Sequence, residues 1–302
     1  MSVLVIGAVN MDIGARSSCP LVKGDSNPGH VITSLGGVGR NIAHNLCLLG
    51  VDTAMLTVLG EDSFADDIRR SAGEIGLDLS LSAVIPGERT STYLYIADSD
   101  GDMALAVNDM KIYEHLTPDF LAQRQEAINR YSLVVFDTNI PAESIAWLCE
   151  HCTAPLIVDP VSTIKAEKLR NVLGKLYAMK PNRAEAQALT GETEPSKMAE
   201  KLLQAGVQQV YISLSSDGLY AADSAGNRCY VPCPPVELMN ATGAGDAMAA
   251  ALTASLLQGD SLAETAKNAM AAGAFACTAQ TTIHPKMSWE NIEKIRESEE
   301  NI

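Results

Sequence analysis

The run NATGAGD (240–246) sets a carboxylate directly behind a turn of small residues, and an alanine-rich helical pattern follows it to Gly259. Thr242, Gly243, Ala244 and Gly245 leave the backbone uncovered there. The first turn of the following helix exposes N–H groups at a positive dipole end, an arrangement that suits an anion. Asp246 sits in that first turn. Two readings of it are open: an acid that complements the helix dipole, or a general base beside a hole where a transferring phosphoryl group develops charge.

A second cluster lies far upstream. SLGGVGRNIAHNLCLLG (34–50) packs Gly36, Gly37 and Gly39 ahead of a helix marked by Ile42, Leu46 and Leu49 and stopped by Gly50. A tight strand-to-helix turn needs one glycine, whereas three together suit a ligand brought close to the main chain. Two clusters, one per substrate, fit a two-substrate transfer. In KPNRAEAQALTG (180–191), Asn182 and Glu185 stand three apart where a strand runs into a helix. They form a variant capping box, or act directly or through water with Mg²⁺ on a polyphosphate; the two readings are compatible. Neither glycine cluster is a G-x-x-x-x-G-K-[ST] or G-x-G-x-x-G motif.

The elements that position these residues alternate. Apolar, strand-like runs at 2–9, 53–60, 132–139, 155–161, 175–182 and 209–216 are separated by helical patterns at 40–49, 63–75, 117–130, 142–151, 183–189 and 196–205. Runs apolar nearly throughout belong in a parallel sheet covered on both faces, and such α/β alternation places ligands at the carboxyl ends of the strands. Residues 13–34 and 88–109 depart from the pattern as exposed β-ribbon, able to form a small sheet, a lid, over those ends. The chain, 1–302, reads as one domain with the lid segments inside it, and the tail EKIRESEENI reads as solvated.

The net charge of −15 argues against a nucleic-acid partner. Apolar residues at 47% and charged ones at 20% are those of a globular chain, and no run of about 18 apolar residues offers a membrane span. MSVLVIGAVNMD reads as a buried first strand rather than a signal peptide. Seven scattered cysteines suit a reducing compartment, so a cytoplasmic location is expected. CEHC (149–152) and CYVPC (229–233) have enough thiols for zinc, but semi-buried thiols explain them better.

Taken together, GAVNMD (7–12), GGVGRN (36–41), KPNRAE (180–185), SLSSDG (213–218) and NATGAGD (240–246) resemble, in order and spacing over nearly the whole chain, the ribokinase-like carbohydrate and nucleoside kinases. The resemblance implies a three-layer α/β sandwich with a mostly parallel central sheet and a small β lid that often mediates dimers. It implies transfer of the γ-phosphoryl group of ATP, with Mg²⁺, to a hydroxymethyl group. Asp246 then matches the catalytic base, and Gly243, Ala244 and Gly245 the anion hole. Asp12 and Asn41 match ligands of sugar hydroxyls, and Asn10, Gly37 and Asn139 further substrate positions. Asn182 and Glu185 match the nucleotide and metal region, with Thr242, Ser213 and Gly218 on the ATP side. The resemblance breaks at Asn240, where many members carry an Asp that helps hold a monovalent cation, so that cation is left open. It breaks also at Ser215, where a glycine is usual, and at Val38.

DSNPG (25–29), GDMALAVNDM (101–110) and DPVS (159–162) are similar to the branch of the family that acts on pseudouridine. On that likeness Ser26, Asn27, Thr92 and Asn108 are expected to read the base and the 5′-hydroxyl to accept phosphate. Ser26 and Asn27 also make sense as a plain Asn-Pro turn. Another sugar or nucleoside kinase of the same family, and a non-catalytic nucleotide-binding regulator, are the rival readings.

Overall fold

Alternate residues of the strand Ser2–Ile6 enter two different cores: Val3 and Val5 pack into one apolar cluster, Leu4 and Ile6 into another. The same division separates Val135 from Val134 and Phe136, Ile157 from Leu156 and Val158, and Tyr211 from Val210 and Ile212. Period 2 sends neighbours to opposite faces, so a strand apolar throughout must be covered on both.

A computed structural model, describing residues 1–300, shows how. Eight strands form one sheet in the order Arg228–Val231, Leu219–Asp223, Gln209–Ser213, Ala178–Met179, Leu156–Asp159, Leu133–Asp137, Ser2–Ile6, Asp52–Leu56. All pairings are parallel except the two that attach Leu219–Asp223 and Arg228–Val231. Ile42 of the helix Val38–Leu48, Leu252 of Ala244–Gln258 and Met270 of Leu262–Ala276 cover one face. Ile145 of Ala142–His151, Leu189 of Arg183–Thr190 and Met198 of Pro195–Gln204 cover the other. Ser2–Ile6 lies between Asp52–Leu56 and Leu133–Asp137, so the strand order reverses there, and a crevice opens at the carboxyl ends.

Four further strands form a small sheet in the order Gly29–Gly36, Asn10–Ser17, Thr92–Ala97, Met103–Asp109. Its middle pair is parallel and its outer pairs antiparallel. Its strands start at Asn10 and close at Gly36, wider than the 13–34 ribbon read from sequence, while 88–91 stay outside it.

Other readings shift. The helix expected over 117–130 is two short ones, Pro118–Ala122 and Gln125–Ile128; between them Arg124 spends its guanidinium on the carbonyls of Leu81 and Phe120 at 2.9 and 3.0 Å. Of KLYAMKPN only Ala178–Met179 is strand, because Leu173–Lys175 is a 3₁₀ turn and Pro181 lacks an N–H. Of the tail, Trp289–Glu300 is helical, with Arg296 on Glu264 and Asn268 at 2.6 Å each; residues 301 and 302 lie outside the described residues. Cys149 belongs to one core, while Cys229 and Cys233 pack against the other, so the sheet separates the two cysteine pairs. Among the described residues no helix is long and apolar enough to cross a membrane.

Candidate active site

Both glycine clusters open helices on the same face of the sheet, and one hydrogen bond joins them. Asn41, in the first turn of Val38–Leu48, donates Nδ2 to Asp246 Oδ2 at 2.8 Å. Asp246 lies in the first turn of Ala244–Gln258, whose N-cap Gly243 has φ 87°. A Cβ at residue 243 would run into the carbonyl of Thr282, so the turn closes against that loop only with glycine. Burial pushes the Asp246 carboxyl up to about 7, with the nearby Asp159 and Asp137 carboxylates adding to it and the Asn41 amide and Lys180 ammonium opposing. A carboxyl poised there is matched to proton abstraction at neutral pH.

The polar chain continues toward the small sheet. Asn10 donates Nδ2 to Asp12 Oδ1 at 2.8 Å, and Arg40 donates to Asn41 Oδ1 at 3.3 Å and to the Leu35 carbonyl at 3.2 Å. Gly36 stands opposite Asn10, and a side chain there would collide with the Asp12 carboxylate. Gly37 is the N-cap of Val38–Leu48, φ 97°. Burial holds the Asp12 carboxyl above its usual range, opposed by the Asn10 amide and the charge of Arg40. Asn10 Oδ1 is buried and has no hydrogen-bond partner, an acceptor left for a donor from outside the chain.

Asp137, at the end of Leu133–Asp137, ties two loops and a helix N-terminus together and was missed in the sequence. Its Oδ2 accepts the N–H groups of Ala8 and Gly39, and its Oδ1 that of Asn139, each at 2.8 Å. Asn139 in turn accepts the Lys165 ammonium on Oδ1, and Lys165 also lies 3.8 Å from the sulfur of Met110, at the exit of the small sheet. Asp159 and Lys180 were missed too. They form a buried ion pair at 3.2 Å. Asp137, Asp159 and Lys180 share a signal the sequence did carry: a charged residue closing an apolar strand run, at the end where ligands gather.

A cleft of about 760 Å³ opens beside Asp246, lined by Lys180, Asn182, Glu185, Ser213, Gly218 and Gly245 among others. Asn182 and Glu185 make a full capping box: Glu185 N–H to Asn182 Oδ1 and Asn182 N–H to Glu185 Oε2, both 2.9 Å. The carboxylate also accepts Asn182 Nδ2 at 2.8 Å, and burial beside Asp159 raises its pKa. No cluster of three or more metal-ligating side chains exists among the described residues. This donor set fits a cation such as Mg²⁺, which keeps most of its waters. At the next loop Ser215 has φ 56°, the left-handed region where glycine is at ease. Asn240 donates Nδ2 to the Gln280 carbonyl at 3.0 Å and accepts the Thr242 N–H at 2.9 Å. Its amide is engaged both ways and supplies no carboxylate.

Three expected base-reading residues are not brought to this site within one chain. Ser26 and Asn27 lie in the loop beyond Ser17, itself five residues past Asp12 and roughly 17 Å away along an extended strand. Asn27 spends its amide inside its own turn, on Val22 and Asp25. The turn reading is the one the geometry carries. Thr92 pairs with Met11, so period 2 turns it away from Asp12. Asn108 pairs with Tyr93, which pairs with Asp12, and all three share one face.

The profile of the pfkB family carbohydrate kinases matches residues 1–289. The chain belongs to the pfkB family. It is a phosphotransferase with an alcohol group as acceptor. This kinase is 36% identical over 304 residues to pseudouridine kinase of Escherichia coli (strain K12), covering 99% of this chain and 97% of that one. It is 25% identical to the guanosine-inosine kinase of Exiguobacterium acetylicum, over 89% of this chain and 91% of the other. Its fold superposes on Arabidopsis thaliana ribokinase complexed with ribose and ATP with a TM-score of 0.85, at 22% identity and 98% coverage of both chains.

Proposed function

We propose that this kinase transfers the γ-phosphoryl group of ATP to the 5′-hydroxyl of pseudouridine. Asp246 takes the hydroxyl proton while the N–H groups of residues 243–245 face the phosphoryl oxygens. The observation that carries the chemistry is the Asp246 carboxyl, poised near neutrality in the first turn of a glycine-capped helix at one end of the cleft. Phosphoryl transfer asks the protein for positioning and charge stabilisation more than for covalent work. Asp12 and Asn41 hold ribose hydroxyls; ATP lies along the cleft past Thr242, Asn182, Ser213 and Gly218. Glu185 would hold Mg²⁺, which when bound would neutralise charge on the phosphates.

Pseudouridine is favoured by the near full-length likeness to its kinase in Escherichia coli and by the unpaired Asn10 acceptor beside Asp12. Joining uracil to ribose through carbon frees a ring N–H that uridine lacks. A buried acceptor satisfied only by that N–H would reject uridine by as much as about 10⁴-fold. Coupled ADP release over a panel of acceptors tests this: kcat/KM for pseudouridine is expected well above that for uridine, inosine, ribose and fructose. A purine nucleoside or free sugar as the best acceptor would keep the family and remove the substrate.

The small sheet also presents an apolar face. Thr33, Ile13, Leu94 and Val107 form one cross-strand row, and Val31, Ala15, Ile96 and Leu105 the next. Val31, Leu94, Leu105 and Val107 are 68, 38, 57 and 57% exposed. A patch of this kind on a four-stranded sheet calls for a partner, and we take that partner to be a second copy of the chain, paired lid to lid.

A further inference from the structure

Lys180 has no part in the reading above, yet it stands where a phosphoryl transfer needs positive charge. Its side chain is 6% exposed and its Nζ lies 3.2 Å from Asp159 Oδ2. Asp159 is itself held: its Oδ1 accepts the N–H of Val161 at 2.8 Å. Val161 keeps φ at 64°, a conformation that a β-branched residue adopts only when its surroundings impose it. Lys180 Nζ also lies 3.5 Å from where a Cβ would stand on Gly245, so the ammonium borders the small-residue turn. Lys180, Gly245 and Asp246 line the same cleft.

A buried ion pair alone is weak evidence of stabilisation, because two apolar side chains of like volume serve as well. Placed beside a row of N–H groups, a fixed ammonium does something apolar groups cannot. It meets negative charge where water is excluded, and so acts far more strongly than in solvent.

We propose that Lys180 is a catalytic residue that contacts a non-bridging oxygen of the phosphoryl group in transit, next to the N–H groups of residues 243–245. The proposal rests on the phosphotransfer reading. In the step, the acceptor hydroxyl oxygen bonds to the γ-phosphorus and its proton passes to Asp246. The bond from that phosphorus to the bridging oxygen breaks, and its electron pair leaves on the nucleoside diphosphate. Lys180 gives up no proton. Burial alone would lower its pKa, but the carboxylates of Asp159, Glu185 and Asp246 outweigh it and keep the amine charged.

The test compares wild type, Lys180→Met, Lys180→Arg and the double variant Asp159→Asn/Lys180→Met in steady-state kinetics, with thermal melts of each. Lys180→Met is expected to lose about 10²–10³-fold in kcat, the loss typical of one transition-state donor, with KM for both substrates changed far less. Lys180→Arg, which keeps the charge, is expected to recover part of it. The double variant removes both charges of the ion pair, and is expected to melt near wild type yet stay slow. A double variant above about a tenth of wild-type kcat would make the lysine a mere counter-charge for Asp159 and overturn the proposal. An active Lys180→Met enzyme would do the same. A wild type that phosphorylates no acceptor would defeat the phosphotransfer reading itself.

Discussion

Asp246 carries the heaviest demand in the proposed mechanism, and its surroundings say at what pH it can meet it. Burial against Asp159 and Asp137 lifts its carboxyl to about 7, whereas a free Asp titrates near 4. Below that point the group holds its proton and cannot take another; above it the base is available. kcat/KM, which reports the free enzyme, is therefore expected to fall on the acid side with a midpoint near neutrality. A profile flat down to about pH 5 would place the base elsewhere or its pKa at the ordinary value. Asp246→Asn keeps the shape and the hydrogen bond from Asn41 within reach but removes the base. Its kcat is expected to drop by at least about 10²-fold with ATP binding retained, measured by turnover and by titration of the nucleotide. An Asn variant that keeps more than about a tenth of wild-type kcat would take Asp246 out of the role.

At the scale of elements, the helix Ala244–Gln258 needs the turn before it more than its own sequence. Gly243 caps it at φ 87°, and the loop carrying Thr282 fills the space a side chain would take. Gly243→Ala is thus expected to displace the turn and misalign the N–H groups of residues 243–245. The expected cost is about 10²–10³-fold in kcat, as for a lost oxyanion donor, while far-UV circular dichroism stays that of the wild type. Full activity in the alanine variant would show that the turn contributes no anion hole. Some of this was legible in the residues. Three small residues before an apolar helix announce an exposed N-terminus, and Asn182 with Glu185 announced the capping box that is found. The split of 117–130 was not legible, because it depends on Arg124 reaching the carbonyl of Leu81, 43 positions away.

For the molecule as a whole, the small sheet sets the open question of assembly. Its apolar face belongs to residues that alternate with Asp12, Tyr93 and Asn108, so in the proposed assembly one face of the sheet would meet the substrate and the other the partner. Light scattering at micromolar protein is expected to give about twice the chain mass of 32.0 kDa. Val31→Lys with Leu105→Lys, at two exposed positions of that face, is expected to give single chains that melt near wild type. A wild type that stays monomeric at every concentration would leave the sheet as a flap over its own cleft.

The sequence by itself determined the alternation of buried strands and amphipathic helices, since period and apolarity are local properties that no packing detail reverses. It also determined the two helix N-termini and the residue types at them, including Asp246 and Asn41. Only the tertiary structure decided what those residues face. The bond between Asn41 and Asp246 joins positions 205 apart, and Asp137 gathers Ala8, Gly39 and its own loop, none of which a local pattern encodes. Strand register decided the rest. It put Asn108 on the face of Asp12, turned Thr92 to the other side and carried Ser26 and Asn27 out to the tip of the ribbon. A slip of one residue would have exchanged those faces, and that register is a property of the folded sheet as a whole.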